Sequence, residues 1–485
     1  MTGRAAEPLF LGGDPGADAQ RLRVLAAAMA EAVLRWAPPT PAPAVSPDEL
    51  RRRVAAIDPC PDDGQPLDAV LAELGPLVLG NAVRPDHPWS TGHLHSPTLL
   101  TAAAAELAIG ATNQSMDSYD QAPVATLVED HLVRWLAQLF GMPAAASGVL
   151  TAGGTASNLL GLLLARDRLA GRLAPLPPDA ARWRVVASRA AHFSVQRGCS
   201  ILGLGQRAVV PVDTDALGRM RVDDLDRTLR RVRADGQRVI AIVGTAGTTD
   251  LGAIDPLDAL AERARAHDAW FHVDAAVASA LCLSERLRGL VAGLELADSI
   301  TADLHKLWWQ PIGASVLVVR DAASFDTMRH PSDYLDRPED DDDGVLNLVG
   351  RSLDTSRRFD AWKVLVSLRA TGRARLAAMV EHLVDTAADI AAEIAGRRDL
   401  ELLALPSTCM VVFRWRPADV ADDMLDHVNT AAQRHLFATG QAVVGRTRVD
   451  GRVALKLTLV NPTTTTKDLV ELIDLIVATA REVTR

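Results

Sequence analysis

Three short motifs contain the residues best suited to chemistry: TAGGTASN at 151–158, HVDAA at 272–276 and DLHK at 303–306. In the first motif, two glycines let the backbone approach a ligand closely, and Thr155 adds a hydroxyl group just before an apolar helix. An open helix N-terminus of this kind suits a phosphate group. Read alone, Gly-Gly-Thr before a helix is more often an ordinary helix cap.

The other two motifs contribute an acid and an amine. Asp274 follows a hydrophobic run, where a carboxylate is costly unless it meets a protonated ring nitrogen, a metal ion or a helix end that it caps. Lys306 lies between the apolar-rich segments 294–300 and 314–319. A lysine in such surroundings can trap a carbonyl group as a Schiff base, although most lysines are simply surface residues.

A phosphate loop, an acid for a pyridine nitrogen and a Schiff-base lysine are together what pyridoxal 5'-phosphate (PLP) requires of a protein. We therefore predict that PLP is the cofactor and that Lys306 binds it covalently. No metal site is predicted, because the four cysteines are scattered without a Cys-x-x-Cys pair.

The elements that position these motifs are short β-branched runs alternating with helices between about residues 124 and 320. This alternation predicts an α/β fold with a large, mostly parallel sheet, whose strands bind ligands at their carboxyl ends. We divide the chain into an N-terminal helical segment (1–100), a large PLP-binding domain (101–375) and a small α+β C-terminal domain (376–485). A helix at 20–36 and the proline-rich stretch 37–47 make the first segment look like an appendage that packs on another subunit.

Bulk properties exclude several partners. A formal charge of -10 provides no basic surface for nucleic acid. The sequence contains neither an apolar run long enough to span a membrane nor a secretory leader at its start, so we expect a cytoplasmic protein that acts on a small metabolite.

At these motifs the sequence resembles the group II PLP-dependent amino-acid decarboxylases, which have the aspartate-aminotransferase (type I) fold. The resemblance runs from about His87 to Asp360, and the stretches NQSMDSYDQ (113–121) and HKLWWQP (305–311) look closest to the diaminobutyrate decarboxylase branch. It implies a carboxy-lyase that converts an L-amino acid to its amine and CO2. It also implies a homodimer with the active site at the subunit interface.

The resemblance further implies roles for individual residues. Lys306 would carry the cofactor, Asp274 would keep the pyridine nitrogen protonated, and Tyr334, in a mobile loop, would return a proton after CO2 leaves. The other implied cofactor contacts are the ring-stacking His192 and Ala276, the phosphate-binding Gly154, Thr155 and His305, and Thr248 near the lysine. Without the resemblance, His192 reads as a core or capping histidine and Tyr334 as an exposed loop residue.

The substrate is left open. Asp303 stands where aromatic decarboxylases have asparagine, which argues against an aromatic substrate. The resemblance to the diaminobutyrate branch favours a small polar or diamino acid such as diaminobutyrate, ornithine, lysine or aspartate. The acidic residues of DSYD (117–120) have two possible roles: they bind a distal ammonium group of the substrate, or they cap a helix. Arg357 or Arg358 likewise either binds a carboxylate of the substrate or pairs with the acidic run 339–344.

Three alternatives to simple decarboxylation remain open at this point. The same cofactor supports decarboxylation coupled to oxidative deamination, and it also supports β-elimination. A degenerate protein of the same fold that serves only as a scaffold is the alternative outside enzymology.

Overall fold

A computed structural model describes the chain from Phe10 to Arg485, except residues 13, 172–175, 331, 333, 338, 339, 341 and 342. The α-helices in this part are α1 (Pro15–Arg35), α2 (Pro47–Ala55), α3 (Leu67–Val78), α4 (Leu100–Thr112), α5 (Pro123–Leu139), α6 (Gly154–Ala170), α7 (Ser194–Ile201), α8 (Val222–Ala234), α9 (Leu257–Ala266), α10 (Ala361–Thr371), α11 (Arg373–Gly396), α12 (Asp422–Ala438) and α13 (Thr466–Thr484). None of the helices in these described residues is long and apolar enough to cross a membrane.

The strands form two sheets. They are β1 (Ser90–Thr91), β2 (Ser147–Thr151), β3 (Trp183–Ser188), β4 (Val209–Val212), β5 (Arg238–Thr245), β6 (Trp270–Asp274), β7 (Ser299–Asp303), β8 (Ser315–Val319), β9 (Leu400–Ala404), β10 (Met410–Trp415), β11 (Val443–Val449) and β12 (Arg452–Thr458). The larger sheet has the order β2-β8-β7-β6-β5-β3-β4, and the smaller one has the order β1-β11-β12-β10-β9.

The larger sheet confirms the predicted α/β fold. Strands β3 to β7 run parallel, whereas β8 pairs antiparallel with both β7 and β2. Strand β2 therefore points the same way as β6 and β7, and the carboxyl ends of all three lie at one edge of the sheet. The sequence pattern did not reveal β2 and β7 as strands, because both mix serine and threonine with their apolar residues.

Helix α6 lies close against the larger sheet. Its apolar side chains are buried there, and a Cβ atom at Gly161 would come within 2.7 Å of the His272 ring. Only glycine permits this approach, which brings the first turns of α6 next to the end of β6.

The smaller sheet combines the two ends of the chain, because β1 pairs in parallel with β11. It also contacts the loop that follows β5. Lys456 Nζ donates to the Thr249 carbonyl at 2.9 Å, and Thr408 Oγ1 donates to the Gly252 carbonyl at 3.1 Å. The smaller sheet therefore holds a loop that belongs to the larger one.

Residues 361–396 form two helices, α10 and α11, which break at Gly372 (φ 79°). On α10, the side chain of Lys363 is fully buried. Its Nζ lies 2.8 Å from Glu106 Oε1 and 2.9 Å from Asp360 Oδ1, and it donates to the Gly313 carbonyl at 3.3 Å. This cluster ties α4 and α10 to the loop that leads into β8.

We predict that Lys363→Met destabilises the fold. Removing the ammonium group leaves the partly buried Glu106 and Asp360 with only the half-exposed Arg358 as a cation, which costs about 1–3 kcal/mol. Denaturant unfolding should therefore show a clearly lower midpoint. The matched control is Arg286→Met, because the Arg286–Asp385 pair is exposed and contributes less than about 1 kcal/mol. Equal midpoints for the two variants would contradict the prediction.

Candidate active site

The three motifs meet around one cavity at the carboxyl ends of β2, β6 and β7. The cavity has a volume of about 580 Å³. Among the residues predicted to bind the cofactor, those in its lining are Gly154, Thr155, His192, Asp274, Ala276, His305 and Lys306. The structure thus brings together side chains that lie far apart in the sequence.

The phosphate-binding loop is the start of α6. Gly153 is the N-cap residue and its carbonyl accepts the first bonds of the helix, from Ala156 and Ser157 at 2.9 and 3.1 Å. The amides of the first helical residues have no partner within a helix and can bind an anion. A Cβ atom at Gly154 would lie 2.8–2.9 Å from the Asp303 carboxyl oxygens, so this position requires glycine.

The Asp274 carboxylate is buried at the end of β6 and has two protein partners. Its Oδ2 accepts from Asn158 Nδ2 at 2.8 Å, and its Oδ1 accepts from the Ala276 amide at 3.1 Å. A carboxylate offers about four acceptor sites, so capacity remains for one further donor from the cavity. A protonated ring nitrogen is such a donor.

Asn158 has a single orientation that satisfies all its neighbours. The Asn158 Nδ2 donates to Asp274, so its Oδ1 faces His272 Nε2 at 2.9 Å. Because an amide oxygen can only accept, His272 Nε2 carries the hydrogen and donates this bond. Burial lowers the pKa of His272 well below its ordinary value, so the ring is neutral and its Nδ1 accepts from Ser299 at 2.8 Å. Trp270 Nε1 donates to the same serine oxygen at 2.7 Å, which completes the chain of bonds.

A second branch of this network orients His192. Asn158 Nδ2 donates to Ser194 Oγ at 2.9 Å, and Ser194 Oγ lies 2.8 Å from His192 Nδ1. The Ser194 amide also points at Nδ1, at 3.3 Å, so this nitrogen is the acceptor. Burial lowers the pKa of His192, with nearby Lys306 adding to the effect, so the ring facing the cavity is neutral near pH 7.

Lys306 follows β7 and forms an ion pair inside the cavity. Its Nζ lies 2.8 Å from Asp303 Oδ2. His305 donates from Nδ1 to the Ala314 carbonyl at 2.7 Å, and its Nε2 lies 3.8 Å from the same Asp303 oxygen. The other oxygen of Asp303, Oδ1, is buried and has no hydrogen-bond partner.

These residues fit PLP. The cavity combines an amine able to form a Schiff base, a buried carboxylate with free acceptor capacity and a glycine-lined helix N-terminus. In the described residues, no group of three or more histidine, cysteine, aspartate or glutamate side chains is arranged to hold a metal ion.

Two of the predicted residues lie elsewhere. The Thr248 side chain is buried behind the cavity wall, where its Oγ1 accepts from the Ala253 amide at 3.0 Å, and Thr249 lies in the lining instead. Tyr334 is 72% exposed and is not part of the lining. Of the acidic run 339–344, residues 339, 341 and 342 lie outside the described part of the chain.

The residues left open by the sequence have local partners. Asp117 and Asp120 each pair with a serine hydroxyl two residues away, at 2.5 Å, and neither lines the cavity. Arg357 pairs with the buried Glu129 at 2.8 Å, and Arg358 pairs with Glu106. The two arginines therefore stabilise contacts with α5 and α4.

The tryptophans that follow Lys306 belong to the core. Trp308 and Trp309 are fully buried, and Trp309 Nε1 donates to the Val460 carbonyl at 2.8 Å. Their burial anchors the segment that contains Lys306 in the core of the protein.

Sequence reasoning missed Asn158, Ser194 and His272 as functional residues. A usable signal existed for His272, because it lies two positions before Asp274 on a strand and so faces the same side. A signal also existed for Asn158, because an asparagine in the first turns of an otherwise apolar helix needs buried polar partners.

Comparison with known proteins agrees with this site. Residues 50–416 match the family described as the pyridoxal-dependent decarboxylase conserved domain. The chain belongs to the pyridoxal-dependent decarboxylase family. Membership confirms the predicted PLP cofactor and the predicted class of enzyme, a PLP-dependent carboxy-lyase that acts on an amino acid.

Individual relatives of this decarboxylase are similar over most of their length. It is 41% identical to an L-2,4-diaminobutyrate decarboxylase of Rhizobium meliloti (strain 1021), over 96% of this chain and 94% of that protein. It is 37% identical to one of Acinetobacter baumannii, over 87% and 85% respectively. A crystal structure of the glutamate decarboxylase domain of diaminobutyrate-pyruvate transaminase and L-2,4-diaminobutyrate decarboxylase from Vibrio parahaemolyticus superposes with a TM-score of 0.87. That chain is 38% identical, and 98% of each chain is covered.

We predict that Asn158→Ala weakens PLP binding by about ten- to a hundredfold, because Asp274 Oδ2 and His272 Nε2 both lose their partner. Titration of the cofactor-free variant with PLP, followed by protein fluorescence, measures the effect. Ser157→Ala is the matched control, since its hydroxyl bonds Thr151 and Ser315 outside this network. Similar affinities in the two variants would show that Asn158 does not support Asp274.

Proposed function

We propose that this decarboxylase acts on a small diamino acid, with L-2,4-diaminobutyrate as the first candidate. The observation that carries the proposal is the composition of the cavity wall: the described lining residues include no arginine. A substrate with a second carboxylate therefore finds no bidentate partner in this lining, which disfavours an acidic amino acid. Similarity to two diaminobutyrate decarboxylases supports the same choice.

The residues divide the work as follows. When bound, PLP would supply the electron sink for the loss of CO2 from the substrate's Cα. Lys306 would hold the cofactor and release it to the substrate amine, and Asp274 would keep a proton on the ring nitrogen. His192 and Ala276 would lie against opposite faces of the ring, while the start of α6, with Thr155 and His305, would bind the phosphate.

A substrate panel tests the proposal. We expect CO2 release from L-2,4-diaminobutyrate with a kcat/KM about ten- to two-hundredfold above that for ornithine, which has one more methylene group. Lysine, aspartate and phenylalanine should be poorer still. The Lys306→Ala variant should lack both the visible absorbance of bound PLP and steady turnover. A preference for aspartate or an aromatic amino acid would refute the proposed substrate, and steady turnover by Lys306→Ala would refute the assignment of the lysine.

Product analysis separates the possible reactions. Equal amounts of CO2 and amine correspond to simple decarboxylation. Aldehyde together with ammonia would indicate oxidative deamination, and ammonia without CO2 would indicate β-elimination.

We also propose that the active unit is a homodimer. Helix α1 exposes a row of large apolar side chains. The exposed fraction is between 47% and 57% for each of Val24, Leu25, Met29 and Val33. An exposed apolar face of this size needs a partner, and a second copy of the chain supplies one with matching symmetry. The three segments 1–100, 101–375 and 376–485, and a cytoplasmic location, remain predictions from the sequence.

Tyr334 is proposed to supply the proton that replaces the carboxyl group at Cα. We predict that Tyr334→Phe retains PLP binding but slows amine formation and diverts part of the substrate to aldehyde and ammonia. Cofactor absorbance, amine yield and ammonia release measure these effects. An unchanged rate and product ratio would exclude the role.

Mixing variants shows which subunit Tyr334 serves. Because Tyr334 lies outside the cavity of its own chain, we expect it to act on the site of the partner. Co-expressed Tyr334→Phe and Lys306→Ala chains then form mixed dimers with one intact site, which restores about a quarter of wild-type activity. No recovery would place the action of Tyr334 within its own subunit.

A further inference from the structure

The Asp303 carboxyl group is turned into the cavity at the point where the phosphate of PLP must bind. It is only 3% exposed and lies against Gly154 at the start of α6. Its Oδ2 is paired with Lys306 Nζ at 2.8 Å, whereas Oδ1 is buried without a partner. A buried, half-satisfied carboxyl group next to a phosphate-binding loop requires an explanation.

Among the described residues that line the cavity, the charged groups around Asp303 include one close cation, Lys306. Strand β6 contributes Asp274, the segment after β3 contributes the neutral His192, and the segment after β7 contributes His305 and Lys306. His305 uses one ring nitrogen on the Ala314 carbonyl and keeps the other 3.8 Å from Asp303. In the cofactor-free chain, the charge of Asp303 is therefore balanced by Lys306.

Cofactor binding weakens this balance. When Lys306 condenses with the aldehyde of PLP, its nitrogen forms a C=N bond, and the aldehyde oxygen leaves as water with two of the three ammonium protons. The third proton and the positive charge stay on the nitrogen, which is now bonded to the cofactor, so Asp303 loses the ammonium group that paired with it. The phosphate would bring its own negative charge to the start of α6, beside Asp303. A buried carboxylate that loses its ammonium partner and gains an anionic neighbour is strongly disfavoured in its charged form.

We propose that Asp303 takes up one proton from solvent as PLP binds and, as a neutral carboxyl group, donates a hydrogen bond to the cofactor phosphate. The oxygen without a protein partner, Oδ1, lies beside Gly154 and is free for this contact. The proton returns to solvent when the cofactor leaves and Lys306 is again an ammonium group. Asp303 thus acts as a neutral donor in the holoenzyme and as a counter-ion in the cofactor-free enzyme.

Calorimetry counts the proton directly. Holoenzyme is resolved of its cofactor and titrated with PLP between about pH 7 and 8.5 in two buffers that differ in ionisation enthalpy. We expect wild type to take up about one proton more per site than Asp303→Asn, whose amide already donates. The PLP dissociation constant of wild type should also rise about tenfold more per pH unit than that of the variant.

Asp385→Asn is the control for calorimetry, because this carboxylate is exposed and pairs with Arg286 far from the cavity lining. It should bind PLP with the proton uptake of wild type. Equal proton uptake in wild type and Asp303→Asn would overturn the proposal.

Infrared spectroscopy of the wild-type enzyme provides a second test that needs no variant. With aspartate labelled with 13C at the side-chain carboxyl group, the difference between holoenzyme and cofactor-free enzyme should show a new protonated-carboxyl band. Its absence would mean that the proton is held by His305 or by the phosphate, and it would overturn the proposal even if proton uptake were observed. The test remains decisive if Asp303→Asn does not fold.

Discussion

The buried Asp274 carboxylate imposes the constraint on which this active site is built. An ionised carboxyl group inside a protein costs several kcal/mol unless hydrogen bonds compensate it. One partner, the Ala276 amide, comes from the turn that follows β6, but the other, Asn158, comes from α6. Helix α6 must therefore lie against the end of β6, and the close approach at Gly161 makes this packing possible.

This packing also sets the length of the site. Gly154 and Asn158 are four residues apart on α6, which places them on the same side of the helix and about 6 Å apart along its axis. One rigid element thus supports a phosphate-binding end and an Asp274-orienting end. The Asp274 carboxylate, which can only accept, fixes the orientation of Asn158, and the His272–Ser299–Trp270 chain of hydrogen bonds is satisfied in that orientation.

The loop after β5, which closes another side of the cavity, is held by two sets of contacts. At its base, Asp255 accepts from the Met220 amide at 2.6 Å and the Thr245 amide at 2.8 Å, and burial raises the pKa of Asp255 to about 6. At Thr249, Lys456 of the smaller sheet donates to the backbone carbonyl. The C-terminal part of the chain therefore supports this cavity wall through a buried ammonium group and through the Thr408 hydroxyl.

The sequence by itself determined the fold class, the PLP cofactor and most of the cavity lining. It did so because strands of a parallel sheet end at a common edge, so polar motifs that follow apolar runs are brought together by topology alone. Lys306, Asp274 and the start of α6 were found in this way, whereas His192 was assigned only through the family resemblance. Their residue types already specified the chemistry.

Only the tertiary structure decided which polar groups are partners. It paired Asp303 with Lys306, Arg357 with Glu129 and Arg358 with Glu106, and it turned Thr248 away from the cavity. It also joined Asn158 to His272, on an element more than a hundred residues away. The direction and pairing of a side chain depend on distant elements packed against it, and no local pattern in the sequence records those contacts.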